Sequence, residues 1–291
     1  MTTSIGSFRS DAARADYERA YRDLERLWPL PATELEVETQ FGRTHVRRSG
    51  AGDRTPLVLL HGLNGSSLSW HGTVAPLAAD RVVYAPDVVG TAGRSVQTAP
   101  LTSGADYGAW GEQLLAGLGL GRAHVLGYSE GAWFAGHLAS RAPHRLASLT
   151  LGEGISALVK PSRAVVSRMV RAAMWPTEKS FAKLDAWLTP GVELSPEDRG
   201  VARAATRYRR RTPWPSPLTD AELAAIAAPT LALFGAETAL GDPVAAGRRV
   251  ADHVPGARVE IVPGGGHGLL WQLPDRVLLL VTEFLDAHDH A

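Results

Sequence analysis

The chain contains no cysteine among its 291 residues. This absence excludes disulfide bonds, thiolate metal sites and a cysteine nucleophile. Excess charge is also lacking, because 30 basic and 30 acidic residues cancel, and the composition therefore does not favour nucleic acid as a partner. No apolar run approaches the ~20 residues that a membrane-spanning helix needs, and the first ten residues do not resemble a secretory signal. We expect a soluble cytoplasmic protein that does not bind membranes; a homodimer remains open.

Short apolar runs alternate with helical patterns along most of the chain. The runs predict buried strands at 56–60, 82–85, 123–126, 146–151, 230–234 and 258–262. Helical patterns fall at 106–118, 132–141, 243–253 and 274–288. A helix over 11–28 and a hairpin over 35–47, turning at 41–43, come first. This alternation predicts an α/β fold with a doubly wound, mostly parallel sheet.

One segment interrupts the alternation. Residues 155–228 show no strand pattern but contain helical stretches broken by several prolines. We interpret this segment as a helical cap inserted into a core formed by residues 1–154 and 229–291. Three tryptophans of the cap are candidates to line an apolar substrate pocket: Trp175, Trp187 and Trp214. The basic run 207–211 is interpreted as a solvated helix face.

The pentapeptide Gly127-Tyr-Ser-Glu-Gly131 fits the pattern Gly-x-Ser-x-Gly. An apolar run enters it and a helical pattern of small residues leaves it, which predicts a sharp turn from strand to helix. Such a turn exposes the hydroxyl of Ser129 and directs the main-chain amide of Glu130 towards whatever the hydroxyl attacks. Ser129 is therefore the candidate nucleophile.

A serine hydroxyl needs a neighbouring base that accepts its proton. The candidate base is His267, which follows three glycines between a predicted strand and the last helix. The turn that begins at His61 follows the first buried strand and can supply a second amide, that of Leu63, to a developing oxyanion. His61 itself is expected to order this loop. Asn64 and Tyr128 are further candidates for contact with the substrate.

These motifs, in this order, resemble the α/β-hydrolase superfamily, and within it bacterial carboxylesterase-like members with a helical cap. The resemblance covers about residues 35–288 and includes the stretch 87–95 and the strand region 229–235. It implies a serine nucleophile, a histidine base and an acid that lies between them in chain order. No cofactor or metal is implied.

The acid is where the chain departs from the family. The superfamily's usual aspartate lies three residues after the glycine that closes the strand at 230–234, and that position is Thr238 here. Glu153, after the strand at 146–151, is the first candidate, because some superfamily members, such as haloalkane dehalogenases, place their acid there. Asp242 and Glu237 are the alternatives, although Asp242 also fits the N-cap of the next helix.

Glu130 is unusual as a carboxylate directly after the nucleophile. It either stabilises the start of the helix or faces the substrate pocket.

The leading hypothesis for function is a serine hydrolase that cleaves a carboxylic ester or lactone of a small, apolar molecule through an acyl-enzyme. A non-hydrolytic reaction in the same fold is the alternative, suggested by Thr238 and Glu130; a binding protein on the same scaffold is a third hypothesis.

Overall fold

The computed structural model describes residues 5–175 and 177–289, except for the side chains of Ala173, Glu178 and Phe181. Its strands are β1 Ser7–Phe8, β2 Ala32–Thr39, β3 Gly42–Ser49, β4 Arg54–Leu60, β5 Arg81–Pro86, β6 Val96–Gln97, β7 Ala123–Tyr128, β8 Leu146–Gly152, β9 Tyr208–Arg209, β10 Thr230–Gly235 and β11 Arg258–Val262. Its α-helices are α1 Asp11–Glu25, α2 Val74–Leu77, α3 Gly104–Gly117, α4 Glu130–Arg141, α5 Ile155–Leu158, α6 Arg163–Met174, α7 Glu178–Leu188, α8 Pro196–Ala205, α9 Asp220–Ala224, α10 Pro243–His253, α11 Leu269–Gln272 and α12 Pro274–Asp286.

The main sheet has the strand order β11-β10-β8-β7-β4-β5-β3-β2, with β6 paired to β3. Strands β4, β5, β7, β8, β10 and β11 pair in parallel, and the hairpin β2–β3 and strand β6 are antiparallel. The predicted mostly parallel sheet is confirmed, and a strand lies at each of the six predicted positions. Strand β11, however, lies at the edge of the sheet and is fully buried only at Val262. The carboxyl ends of the parallel strands meet at one edge of the sheet, which is where open α/β sheets bind ligands.

Both faces of the sheet are buried, which explains why its strands appear in the sequence as continuous apolar runs. Successive side chains of a strand point to opposite faces. In β4, Leu57 and Leu59 join the apolar cluster that contains α1 and α12, whereas Val58 and Leu60 join the cluster that contains α3 and α4. The central strands therefore have no face on which a polar residue could reach solvent. Polar side chains that act on a substrate must follow the strand ends.

The predicted cap segment, residues 155–228, contains α5 to α9 and also β9. The expectation that this segment has no strand is wrong. Strand β9 pairs antiparallel with β1, so that Ser7 lies opposite Arg209. A pair of two-residue strands has too few positions for an alternating pattern, and its halves are about 200 residues apart in the chain. Sequence periodicity therefore could not detect it.

Both ends of the predicted cap segment pack in the main core. Ile155 and Leu158 of α5 are fully buried, as are Leu223 and Ile226 near α9. The proposed domain limits, 1–154 with 229–291 for the core and 155–228 for the cap, remain a prediction.

Candidate active site

Ser129 lies at a strained turn between β7 and α4. Its backbone angles are φ 56° and ψ −118°, in a region that residues other than glycine rarely occupy. Glycine is required beside it, because a Cβ at Gly131 would come within 1.9 Å of the carbonyl oxygen of Leu60. The turn holds the Ser129 side chain half-buried at the carboxyl end of β7. This geometry matches the predicted strand-turn-helix context.

His267 lies in the loop between β11 and α11, and its ring reaches Ser129. The serine hydroxyl donates to Nε2 across 3.1 Å. The Tyr128 hydroxyl donates to the main-chain carbonyl of His267 at 2.7 Å and accepts from the amide of Leu270 at 3.3 Å. Tyr128 was expected to contact the substrate, but its hydroxyl is occupied by these two contacts. The structure therefore corrects that expectation: Tyr128 holds the histidine loop in place.

Glu153 is the carboxylate that reaches the other side of the His267 ring. The Nδ1–H of His267 donates to Glu153 Oε2 at 3.1 Å. The carboxylate is fully buried, and Glu153 has a positive φ of 51°, as Ser129 does. The two alternative acids have other partners. Asp242 caps α10 by accepting from the amides of Val244 and Ala245.

The second alternative, Glu237, accepts from the main-chain amide of Gly264. The two alternatives, Asp242 and Glu237, therefore bind main-chain amides, whereas Glu153 binds the His267 ring. Their sequence positions are close to the usual family position, but the side chains turn towards a helix start and a loop amide instead.

Thr238 has a specific contact at the position where the family usually has its aspartate. Its hydroxyl donates to Glu153 Oε2 at 2.7 Å, and the amide of Gly235 donates to Oε1. The oxygen that faces His267 is therefore also held by Thr238. The end of β10 thus binds a carboxylate that comes from the end of β8. Sequence analysis noted the threonine but did not predict this hydrogen bond.

The loop after β4 lies against the serine. A Cβ at Gly62 would be 3.6 Å from Ser129 Oγ, and Asn64 has a positive φ of 56°. His61 is buried; its Nδ1–H donates to the carbonyl of Gly62, and its Nε2 accepts from the amide of Val88. Burial lowers the pKa of His61, which keeps the ring neutral. His61 thus orders the loop, as expected.

The role of the Leu63 and Glu130 main-chain amides as oxyanion donors remains a prediction, because no contact among the described residues tests it. The same applies to substrate contact by Asn64 and the cap tryptophans. Trp175 and Trp214 are 59% and 64% exposed. Trp187 is half-buried, with the Arg168 guanidinium 4.5 Å from its ring centroid.

Glu130 is buried and paired with Arg210. The Arg210 Nη1 lies 2.6 Å from Oε1 and donates to Oε2 at 2.7 Å. Arg210 belongs to the basic run 207–211, which was interpreted as a solvated helix face. That interpretation is wrong: a turn, β9 and two residues outside any helix or strand occupy these positions, and Arg210 is half-buried against the nucleophile turn. Sequence analysis missed this residue because a charge run carries no signal of a partner 80 positions away.

Within residues 5–175 and 177–289, no group of three or more metal-binding side chains converges. The site that is present consists of a serine, a histidine and a buried glutamate joined by hydrogen bonds, beside a loop that follows the first parallel strand. Together with the mostly parallel main sheet, this is the arrangement of a hydrolase fold that uses a serine nucleophile.

A model of the alpha/beta hydrolase family matches residues 57–278, and the chain therefore belongs to that family. It is 28% identical over 288 residues to the carboxylesterase YbfK of Bacillus subtilis, covering 92% of this chain and 93% of that protein. The crystal structure of the same carboxylesterase, CesB (YbfK), matches with a TM-score of 0.88 at 28% identity, covering 95% and 99% of the two chains. The crystal structure of naproxen esterase (carboxylesterase NP) from B. subtilis matches with a TM-score of 0.86 at 26% identity, covering 93% and 97%.

These similarities confirm the predicted fold and the resemblance to bacterial carboxylesterases. In the part of the chain that the structure describes, no helix combines the length and apolar character needed to cross a membrane.

Proposed function

We propose that this protein is a serine hydrolase that cleaves carboxylic esters or lactones of small molecules through an acyl-enzyme. The observation that carries the proposal is the continuous hydrogen-bonded path from Ser129 through His267 to Glu153. The similarity to two carboxylesterases over almost the whole chain supports it. A cytoplasmic location, an apolar substrate and a homodimer belong to the same proposal and are its finer parts.

In the first half of the reaction, Ser129 Oγ attacks the ester carbonyl while His267 Nε2 takes its proton. Glu153 holds the ring in the tautomer with the proton on Nδ1 and stabilises the imidazolium that forms. The main-chain amides of Leu63 and Glu130 donate to the oxyanion of the tetrahedral intermediate. The imidazolium then returns the proton to the leaving alkoxide as the carbon–oxygen bond breaks.

In the second half, a water molecule attacks the acyl-Ser129 ester while His267 again takes the proton. The second tetrahedral intermediate collapses, the carboxylic acid leaves, and the proton returns to Ser129. Each step uses the same three side chains and the same amides, so the site needs no cofactor for this chemistry.

Two features suggested a non-hydrolytic reaction, namely Thr238 and Glu130. Thr238 donates to the Glu153 carboxylate and Glu130 is paired with Arg210. Both unusual residues therefore have a role compatible with ester hydrolysis, and the alternative loses the observations that favoured it.

The test uses short p-nitrophenyl esters and a fluorophosphonate probe that labels activated serines. We expect the wild-type protein to hydrolyse the esters and to be labelled, and Ser129→Ala to lose both properties, with a fall in kcat of about 10⁴-fold or more. Ser148→Ala, a buried serine on the neighbouring strand, is the matched control and should keep both. Absence of hydrolysis and labelling in the folded wild type, or their survival in Ser129→Ala, would overturn the proposal.

A further inference from the structure

The Glu130 side chain brings a negative charge to an unfavourable place. Glu130 is 4% exposed and directly follows Ser129. Its own amide is one of the two proposed oxyanion donors. The helix N-terminus favours a carboxylate, but a buried charge without a partner is costly. An uncompensated carboxylate here would also repel the negative charge that develops on the substrate, and this repulsion is strong where water is excluded.

Arg210 supplies the opposite charge from a separate part of the chain. It lies in residues 208–218, which we call the strap, and its guanidinium contacts both oxygens of Glu130. The guanidinium is held in turn by Thr212, whose Oγ1 accepts from Arg210 Nε. The methyl group of Thr212 packs against Gly90, where a Cβ would come within 2.7 Å. The Arg210 guanidinium is therefore held by Glu130 through Nη1 and by Thr212 through Nε.

The rest of the strap is tied to the elements around the nucleophile. The Ser216 carbonyl accepts from Trp133 Nε1 of α4 at 2.9 Å, and the Leu218 amide donates to the carbonyl of Ala157 at 2.8 Å. At its other end, β9 pairs with β1. These contacts hold Arg210 over the start of α4.

Two further titratable groups lie close enough to Glu130 to be affected by its charge: His61 after β4 and Tyr107 of α3. His61 is neutral, since burial lowers its pKa. Tyr107 is neutral as well, since burial raises its pKa to about 12. Neither group carries a positive charge, so compensation of the Glu130 carboxylate falls to Arg210.

We propose that Arg210 is a positioning residue for ester hydrolysis: it neutralises Glu130 beside the oxyanion position. The site is therefore complete only when the strap holds Arg210 against Glu130. This inference rests on the proposed function. Arg210 acts through Glu130 and does not itself touch the substrate. Removing the Arg210 charge should therefore slow the chemical step, and the loss should depend on the presence of the Glu130 carboxylate.

The experiment compares kcat and KM for a p-nitrophenyl ester at pH 9 in the wild type and in Arg210→Met. We expect the variant to lose about 10- to 100-fold in kcat, less than the loss of a whole oxyanion donor. KM should change little, because the ground-state ester carries no charge.

Three matched variants make the result specific. Glu130→Gln/Arg210→Met has neither charge, and we expect it to recover most of the kcat that Arg210→Met loses, which a merely structural role of Arg210 would not allow. Arg210→Lys keeps the charge and should retain most activity. Arg211→Met removes an exposed neighbouring charge and should match the wild type.

Wild-type kcat in Arg210→Met would overturn the inference. A loss of kcat that the added Glu130→Gln substitution does not relieve would show a structural role only and would also overturn it. If circular dichroism shows that Arg210→Met is unfolded, Arg210→Gln replaces it under the same expectations. Failure of the proposed function would be seen separately, as absence of Ser129-dependent hydrolysis in the wild type.

Discussion

Strands β7 and β8 each contribute to two hydrogen-bonded sets of serine, histidine and carboxylate, one at each end of the sheet. At the carboxyl end, the serine and the acid directly follow the strands, as Ser129 and Glu153. At the opposite end lies a second set: Ser148 donates to His124 Nδ1 at 2.7 Å, and His124 Nε2–H donates to Asp289 at 3.2 Å. Both sets join a serine, a histidine and a carboxylate in the same order of donors and acceptors, although the acid is a glutamate in one and an aspartate in the other, and the two ring nitrogens exchange roles.

The two sets differ in how deeply the serine is buried, in the backbone strain at the serine and in which other groups bind the acid. Ser148 and His124 are completely buried and Ser148 lies inside strand β8, whereas Ser129 is half-buried at a strained turn. Arg81 also holds Asp289, with Nη1 2.7 Å from Oδ1. The second set therefore anchors the C-terminal segment. A hydrogen-bonded serine, histidine and acid becomes a candidate for catalysis only where the turn exposes the serine.

The largest expected effect that separates the two sets comes from their acids. Glu153→Gln should lower kcat for ester hydrolysis by about 10³-fold or more, because the amide no longer stabilises the imidazolium and permits the wrong tautomer. Asp289→Asn, the matched change in the second set, should leave kcat within about twofold and lower the free energy of unfolding by about 1–3 kcal/mol. Steady-state kinetics and urea unfolding measure the two quantities.

A second variant sharpens the assignment of the acid. Thr238→Asp added to Glu153→Gln places a carboxylate at the usual family position, and we expect it to restore part of the lost kcat. Equal kcat in Glu153→Gln and the wild type would rule out Glu153 as the acid.

The second effect is on stability and concerns the buried histidine. Burial lowers the pKa of His124 to about 4, against about 6.5 in an unfolded chain. Between these values the unfolded chain binds a proton that the folded protein does not. The free energy of unfolding therefore falls as the pH is lowered from about 6.5 to about 4, with a His124 contribution of about 3 kcal/mol at most.

Urea unfolding at pH 7.5 and pH 4.5 measures this contribution in the wild type and in His124→Gln. Other buried histidines, such as His61 and His137, also have a pKa lowered by burial, so the difference between the two proteins is the relevant quantity. Exposed His144 provides the control variant, His144→Gln, which should behave as the wild type does. An identical pH dependence in His124→Gln and the wild type would contradict the assignment.

The smallest effect concerns the residue that supports the acid. Thr238→Val removes a hydrogen bond to a charged carboxylate, and we expect kcat to fall about tenfold, a loss of ~1.4 kcal/mol. Ser148→Ala removes a hydrogen bond in the second set and should lower only stability, by about 1 kcal/mol. Unchanged kcat in Thr238→Val would show that Gly235 and the fold alone orient Glu153.

Two residues of the site, Ser129 and His267, were predicted without alternatives, and both are encoded by local sequence patterns. Ser129 is marked by two glycines within its own turn, and His267 by the glycine-rich loop between a strand and a helix. Each signal is complete within a few residues, because strand ends and tight turns have strict steric requirements. The mostly parallel sheet was predicted for a similar reason, since strands buried on both faces are continuous apolar runs.

The contacts between distant segments were not predictable in the same way. Glu153 was one of three carboxylates with plausible positions, and sequence spacing could not measure which side chain reaches His267. Arg210 was assigned to a solvated helix, although it pairs with a residue 80 positions earlier in the chain. Strand β9 was missed because its partner is at the start of the chain.

Chain order and local sterics thus determine the sheet, the sharp serine turn and the histidine loop. Only the tertiary structure decides that Glu153 rather than Asp242 or Glu237 contacts His267, that Thr238 donates to Glu153, and that Arg210 lies against Glu130. The reason is that a strand or a turn depends on neighbouring residues, whereas a buried charge or hydrogen bond depends on which distant segments meet at the same strand ends.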